Sequence, residues 1–345
     1  MESSVLPSNR VIAELLARAS GREKDDQHRR ALRRASRAAL MWPVEAVAIA
    51  ADGVSLTTLP RVGPWINEEI HRLVSSDSFE EPPLRRAGFM SWSEASSHAA
   101  HFSGTVRCDL QAHTLWSDGH SSAEEMIDAA RARGYEHLLI TDHSQGLPIA
   151  NGMSPERLRH QWRELELLQE RTPVRVLRGI EMNLDTSGAG DMPEESLAGL
   201  DVILGAFHSA LRLKEDQTER YLAAVHNPWV DVLAHPRGRM YDHRVGLTAD
   251  WGRVFDEAAR MDKAIEVDGY MDRQDVDVEL LKLAADAGVR VSFGSDAHHV
   301  VDLPYITFSV GSSVAAGVSP ERVLNCMSAD ELVGWAAEHR RRALQ

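Results

Sequence analysis

The sequence predicts an α/β protein in which one closed barrel follows a smaller all-helical domain. Two observations support the barrel. From residue 105 onwards, strand-like and helix-like segments alternate about seven times, and nearly every strand-like segment ends in His, Asp or Glu. A third observation supports the helical domain, because residues 9–20 and 27–41 carry apolar side chains at the spacing of a helix face. The chain has 345 residues, which is long enough to bury a large core.

The N-terminal domain is predicted to span residues 1–75 and to end in the motif TTLPRVGPWINEEIHRLV at 57–74. The apolar residues of this motif follow helical spacing, interrupted by a turn at 61–64. The stretch is similar to a helix-hairpin-helix, whose hairpin presents backbone N–H groups at a helix N-terminus to a DNA phosphate. An apolar turn between two helices accounts for the same apolar residues, but it does not account for the position of Gly63.

Basic residues cluster in the N-terminal domain, although the chain as a whole is acidic. The formal net charge is −14, yet residues 1–100 contain 13 basic and 13 acidic side chains, so the whole excess lies in residues 101–345. The basic cluster between Arg18 and Arg37 suggests an anionic partner, and a solvated helix face is the alternative. The residues predicted to bind DNA are Arg61, Val62, Gly63, Arg29, Arg30 and Arg33.

The barrel is predicted to occupy residues 105–345, after a linker at 76–104 that is rich in Ser and contains Glu-Glu-Pro-Pro. The predicted strands are 106–110, 137–141, 174–181, 201–207, 230–235, 263–269 and 289–295. The predicted helices of this part are 122–133, 155–171, 216–226, 250–261 and 275–287. In an α/β barrel the C-terminal ends of the strands meet at one rim, so residues far apart in sequence converge there.

The polar residues at the strand ends form the candidate functional site. They lie in the segments DLQAH, TDH, GIE, FHS, AHP, EVDG and SDAHH. A single His at such a position is more often a hydrogen-bonded core residue, whereas a set of this size indicates metal ligands. Mixed imidazole and carboxylate ligands suit Zn²⁺, Mn²⁺ or Fe²⁺. A Ser-His-Asp hydrolase is disfavoured because a GxSxG motif is missing. A metal-dependent amide or purine hydrolase, which would carry HxH on its first strand, is a closer rival.

Taken together, the motifs DLQAHTLWSDG, ITDHS, GIEMN, FHS, AHP and SDAH resemble the PHP (polymerase and histidinol phosphatase) family over essentially all of residues 105–345. The resemblance implies a distorted, TIM-like (β/α)7 barrel that cleaves phosphoesters with three divalent metal ions, Mn²⁺, Zn²⁺ or Fe²⁺. The ligands it implies for one ion are Gln111, His113, Glu181 and Asp296. Glu181 would bridge to a second ion held by His208 and His235. The ligands of a third ion would be Asp118, His143 and His298.

Within the family, the chain is most similar to the C-terminal PHP module of bacterial family X DNA polymerases, which implies a 3′–5′ exonuclease. VDGYMDR at 267–273 and the N-terminal LPRVG support this resemblance. The roughly 30 residues between the hairpin motif and the barrel are too few for a polymerase palm. Glu69 stands where a lyase of this group carries its Schiff-base lysine, and Gln111 replaces the first His of HxH. An amide oxygen is a neutral and weaker ligand than an imidazole.

The predicted reaction is metal-assisted phosphoester hydrolysis that depends on Glu181 and Asp296. Arg237, Arg239 and Arg244 follow AHP and are expected to contact phosphate oxygens, with a solvated loop as the alternative. The expected substrate is a DNA 3′ end, met partly through the N-terminal domain. A small-molecule phosphatase and a DNA-binding scaffold without catalysis are the two alternatives.

The sequence contains no signal for export or for membrane insertion. The N-terminus, MESSVLPSNR, lacks the features of a signal peptide, and no apolar run approaches about 20 residues. The two cysteines, Cys108 and Cys326, form no CxxC pair. A cytoplasmic location is therefore expected.

Overall fold

The computed structural model describes residues 6–76 and 80–344 of the chain, which divides into two compact units. The first unit is Met1–Ala100 and the second is His101–Gln345. Most of the predicted linker at 76–104 belongs to the first unit. It contains a helix, Trp92–Ala99. Residues 77–79 of the predicted linker, residues 1–5 of the predicted helical domain and residue 345 of the predicted barrel lie outside the described residues.

The regular elements in the described part of the first unit are all helices. Its helices are α1 (Asn9–Arg22), α2 (Asp26–Leu40), α3 (Ala46–Ala51), α4 (Pro64–Ser76) and α5 (Trp92–Ala99), with one 3₁₀ turn at Leu56–Thr58. Helix α5 is joined to the start of α1, since the Asn9 side chain donates to Ser93 Oγ at 3.0 Å. Ser93 in turn donates to Glu45 Oε1 at 2.7 Å. The predicted linker thus includes a packed element of this unit.

The second unit contains seven parallel strands that are paired in chain order. They are β1 (Cys108–Asp109), β2 (His137–Ile140), β3 (Arg175–Leu184), β4 (Val202–Phe207), β5 (Val232–Leu233), β6 (Ala264–Asp268) and β7 (Arg290–Gly294). The first and last strands also meet, because the Leu110 N–H donates to the Phe293 carbonyl at 3.2 Å and the His113 N–H to the Ala297 carbonyl at 2.8 Å. The fold is the predicted (β/α)7 barrel.

Helices connect the strands and cover the barrel. They are α6 (Ala123–Ala132), α7 (Pro155–Gln169), α8 (Glu194–Leu197), α9 (Thr218–His226), α10 (Trp251–Arg260), α11 (Val278–Ala287), α12 (Ile306–Ala316) and α13 (Ala329–Ala343). Their starts follow local chemistry: Ser122 and Glu125 form a capping box at α6, and Asp277 caps α11. The five predicted helices are present, with ends displaced by up to three residues.

Apolar side chains fill the interior of the barrel, and the polar side chains lie at the C-terminal ends of the strands. Alternate residues of several strands, among them Leu139, Leu177 and Leu204, are completely or almost completely buried together with Trp335 of α13. Their side chains occupy the interior, as is usual for such barrels. The polar residues that follow the strands are therefore collected at the C-terminal rim. No helix in the described part of the chain is both long enough and apolar enough to cross a membrane.

Candidate metal centre

Glu181 lies at the centre of the rim, near the middle of the long strand β3, and its side chain is completely buried. Its Oε1 atom is 2.8 Å from His235 Nε2 and 2.9 Å from His208 Nε2. Its Oε2 atom is 3.3 Å from His113 Nε2 and 3.4 Å from His143 Nδ1. Each carboxylate oxygen therefore faces two imidazoles, and the four histidines come from the ends of four different strands. This is the geometry of a carboxylate that can bridge two ions.

The remaining predicted ligands extend the cluster on two sides. Asp118 Oδ1 lies 3.4 Å from His298 Nε2 and 3.5 Å from His143 Nε2. On the other side, Asp296 Oδ1 lies 3.0 Å from His113 Nε2. Three overlapping groups could each hold an ion: His113, Asp118, His143 and His298; His143, Glu181 and His208; His113, Glu181 and Asp296. The structure thus brings together the side chains named from the sequence, and their role as ligands stays a prediction.

The protonation states favour a cation at this place. Burial would raise the pKa of Glu181, but the nearby imidazoles of His143 and His235 outweigh it and hold that pKa well below its usual range. Burial also opposes ionisation of Asp118, yet His298 and His143 lower its pKa to about 2. Burial lowers the pKa of His143 itself to about 3. At neutral pH Asp118 and Glu181 are therefore anionic and His143 is neutral, the forms in which they ligate metals. Despite burial, nearby carboxylates raise the pKa of His113 and of His298, so these two imidazoles would release protons on binding an ion.

Gln111 belongs to the cluster through both ends of its amide. Its Nε2 atom donates to Glu181 Oε2 at 3.0 Å. Its Oε1 atom is buried and has no hydrogen-bond partner among the described residues, so it is available as a ligand. Space here is tight, because a Cβ on Gly294 would come within 2.3 Å of Glu266 Oε1 and 3.1 Å of Gln111 Oε1. The unpartnered oxygen and the mixed nitrogen and oxygen donors fit divalent ions such as Zn²⁺ or Mn²⁺.

The loop after β1 is held in place by a buried carboxylate that sequence reasoning did not single out. Asp142 accepts hydrogen bonds from the Thr114 N–H at 2.8 Å, from Thr114 Oγ1 at 2.7 Å and from the Ser117 N–H at 3.1 Å. Gln161 of α7 donates to the same carboxylate at 2.6 Å. These bonds fix the chain directly before Asp118. Asp142 is part of the TDH motif at 141–143, but only His143 of that motif was assigned a role from the sequence.

Two site residues adopt a backbone conformation that side chains rarely tolerate. His235 has φ of 25° and Asp296 has φ of 52°. Such left-handed conformations cost on the order of 1–3 kcal/mol each and persist where surrounding contacts enforce them. Here the His235 N–H donates to the buried Glu266 carboxylate at 2.8 Å. The strain is therefore concentrated at the rim, where it orients two predicted ligands.

The three arginines that follow β5 do not share one role. Arg237 Nη1 and Arg239 Nη1 both contact Asp277 Oδ2, at 2.6 Å and 2.9 Å. Arg239 is buried and also donates to the Arg273 carbonyl at 3.1 Å. These two guanidiniums hold the loop to the start of α11, and the phosphate contacts expected of them stay a prediction. Arg244 has no carboxylate within ion-pair distance among the described residues.

Two further residues that touch the cluster were not assigned roles from the sequence. Arg273, which follows β6, places Nη1 2.8 Å from Asp296 Oδ2. Asn183, two residues after Glu181 on β3, places Oδ1 3.1 Å from His208 Nδ1. That contact directs the His208 Nε2 atom to Glu181. VDGYMDR and GIEMN contain both residues, but only the folded chain shows which predicted ligand each one meets.

The predicted DNA-binding residues lie in the first unit. The hairpin reverses at Arg61, which is exposed and has φ of 64°, while Val62 is buried and Gly63 is exposed. The ring of His28, in the first turn of α2, stacks on Trp65 in the first turn of α4 at a centroid distance of 4.2 Å. The arginines of α2 that were predicted to bind DNA are exposed: Arg29, Arg30 and Arg33. The stacked rings place the first turn of α2 beside the hairpin.

Comparisons with known proteins agree with the barrel fold of the second unit. A family profile described as PHP domain matches residues 109–298. DNA polymerase/3'-5' exonuclease PolX of Bacillus subtilis is 34% identical over 227 residues, which are 65% of this chain and 40% of PolX. This chain therefore spans well under half the length of PolX. A probable phosphatase of Acetivibrio thermocellus is 32% identical over 215 residues, which are 59% of this chain and 81% of that protein.

A match to a solved structure was also found. Histidinol phosphate phosphatase from Lactococcus lactis, complexed with Zn, L-histidinol and phosphate, has a TM-score of 0.48 and 16% sequence identity. The match covers 62% of this chain and 95% of that chain.

Proposed function

Since this chain belongs to the PHP family of metal-dependent phosphoesterases, we propose that it removes or processes nucleotides at DNA 3′ ends, as a 3′–5′ exonuclease or end-processing enzyme. The observation that carries the hydrolytic part is Glu181, which faces four imidazoles with its two oxygens at 2.8–3.4 Å. The choice of DNA is supported by the similarity to PolX and by the exposed arginines beside the hairpin of the first unit.

The nine clustered side chains would hold the ions. When bound, divalent ions supply Lewis acidity toward phosphoryl oxygens and activate a water molecule as nucleophile. The chain's own contribution is to keep Glu181 and Asp296 anionic and to hold His143 neutral. Arg273 neutralises the outer oxygen of Asp296 and extends positive charge toward the rim, where a phosphate would lie.

A small-molecule phosphatase is the second candidate. It is supported by the probable phosphatase of Acetivibrio thermocellus, of which the matched residues cover 81%. In that case the same cluster would act on a compact phosphate ester, and the first unit would not affect turnover. The two candidates therefore differ in whether the first unit changes activity on DNA but not on a small ester.

The test offers purified full-length protein with Mn²⁺ a 3′-labelled oligonucleotide and an aryl phosphate monoester side by side. We expect stepwise release of 3′ nucleotides that is lost in Glu181→Gln. Replacing Arg29, Arg30 and Arg61 together by Gln should weaken oligonucleotide binding and flatten its salt dependence. Arg10→Gln is the matched control, since Arg10 lies on α1 outside the predicted set. Efficient hydrolysis of the monoester with no attack on DNA would favour the second candidate.

A further inference from the structure

Three arginines stand on successive loops of the rim that carries the candidate metal centre. Arg212 follows β4, Arg244 follows β5 and Arg273 follows β6. Because β4, β5 and β6 are parallel neighbours in the barrel, their C-terminal loops are adjacent to one another. Arg273 begins this series at the metal centre, 2.8 Å from Asp296 Oδ2. The series therefore starts at a predicted ligand and continues away from it along the rim.

Contacts between the loops fix this arrangement. The Tyr241 N–H donates to the Asp272 carbonyl at 2.7 Å, so the loop after β5 is attached next to Arg273. Within that loop, the Met240 N–H donates to the Arg244 carbonyl at 3.0 Å and closes a tight turn. The turn also carries His243, whose Nε2 atom lies 2.8 Å from Arg212 Nη2. This contact links Arg212 to His243, the residue that directly precedes Arg244.

The positive charge of this series is incompletely neutralised. Arg273 has the carboxylates of Asp296 and Asp268, at 2.8 Å and 3.7 Å, but neither Arg212 nor Arg244 has a carboxylate within ion-pair distance among the described residues. Arg244 is half-buried, and its Nε atom is buried without a hydrogen-bond partner in the same part of the chain. Burial, and then the charges of Arg273 and Arg212, lower the pKa of Arg244. In a chain of net charge −14, unpaired arginines that repel one another indicate a bound anion.

We propose that Arg273, Arg244 and Arg212 form an arginine track that binds successive phosphates of a nucleic-acid strand whose reacting phosphate lies at the metal centre. This inference rests on the proposed function and deepens it, because it requires a substrate with phosphates beyond the one that reacts. A single phosphate at the centre can contact Arg273, whereas Arg212 lies two loops further along the rim. Contacts of this kind position the backbone without reading its sequence.

The test compares wild-type protein with Arg212→Gln and with the double variant Arg212→Gln/Arg244→Gln, and both variants leave Arg273 and every predicted ligand intact. One substrate is the p-nitrophenyl ester of thymidine 5′-monophosphate, which has a single phosphate, and the other is a short single-stranded oligonucleotide. Oligonucleotide binding is also measured by fluorescence anisotropy over a range of KCl concentrations. Arg131→Gln is the control, because Arg131 is an exposed arginine on the covering helix α6, where it pairs with Asp128.

For the double variant we expect the oligonucleotide KM and Kd to rise about tenfold. The slope of log binding constant against log salt should flatten by about 1.4, since each phosphate contact on a single strand contributes about 0.7. For Arg212→Gln, which lies outside the residues expected at the reacting phosphate, we expect a smaller rise in KM and Kd, with the single-phosphate ester turned over as by wild type. Unchanged oligonucleotide binding in the double variant, or an equal loss on both substrates in Arg212→Gln, would overturn the track. If wild type binds the oligonucleotide through these arginines but does not cleave it, the track stands and the proposed exonuclease fails.

Discussion

Replacing Glu181 by Gln should remove two metal ions from the protein at once. The substitution keeps the volume of the side chain and removes one negative charge from a buried position. Because Oε1 faces His208 and His235 while Oε2 faces His113 and His143, both ion-holding groups that use this carboxylate lose it together. The group formed by His113, Asp118, His143 and His298 does not contain Glu181 and should keep its ion.

The size of the effect follows from the position of the carboxylate. Loss of a residue that only orients a ligand typically weakens metal affinity by 10–100-fold. Glu181 faces the imidazoles directly, so we expect at least about 100-fold weaker binding for each of two ions, or about 2.7 kcal/mol per ion. Hydrolysis of any phosphoester should fall by a larger factor, because two of the groups that would hold ions lose the same carboxylate.

The assay is metal content per chain by inductively coupled plasma mass spectrometry after mild chelation, combined with thermal unfolding to verify the fold. The matched control is Glu166→Gln on α7, which makes the same chemical change at a side chain that is 67% exposed. We expect the control to retain the wild-type metal content. A Glu181→Gln protein that is folded and holds as many ions as wild type would refute the bridging role.

Three further predictions concern single substitutions. Gln111→His should retain metal longer under chelation than wild type, because an imidazole is a stronger ligand than an amide oxygen. Asp277→Asn should lower the Tm of the barrel by about 6–12 °C, since Arg237 and the buried Arg239 both pair with this carboxylate and breaking a buried ion pair costs about 3 kcal/mol. His137→Phe should reduce acid sensitivity, because burial lowers the pKa of His137 to about 4 and neither ring nitrogen has a hydrogen-bond partner among the described residues. As the pH falls from about 6.5 to 4, the unfolded chain gains this proton before the folded one, so wild type loses up to about 3 kcal/mol that the Phe variant keeps.

Each of these predictions has an outcome that contradicts it. Equal metal retention in the two proteins would show that Gln111 is not a weak ligand. An Asp277→Asn protein with unchanged Tm would show that Arg239 is stabilised by its other contacts. The acid sensitivity is measured by urea unfolding of both proteins at several pH values. If the free energy of unfolding of His137→Phe falls as steeply with acid as that of wild type, His137 is not the source of that loss.

Much of the barrel could be predicted because its signals are local. The alternation of strand-like and helix-like segments depends on short-range periodicity, and the prediction of a (β/α)7 barrel is confirmed. Helix α12 was not predicted, because residues 308–313 are buried on all sides and show no amphipathic period. Helix α13 and the short α5 were also not predicted. The two-residue strands β1 and β5 are shorter than expected because the length of a strand depends on its pairing with neighbours.

The candidate metal ligands were recognisable for the same reason. Each stands directly after a strand in a short motif, and barrel geometry requires such positions to converge. The groups that orient them were not recognisable from local sequence. Asp142 and Asn183 differ from other polar residues only through the side chains they meet across the rim.

The sequence by itself determined the fold class and the set of imidazole and carboxylate side chains at the rim, since both depend on residue type and spacing along the chain. Only the tertiary structure decided which charges are neutralised. Arg237 and Arg239 meet Asp277, 40 and 38 residues away, whereas Arg244 meets no carboxylate at ion-pair distance in the described residues. Electrostatic pairing acts over a few ångströms of space, and that proximity is set by the packing of loops from separate strands rather than by the order of residues.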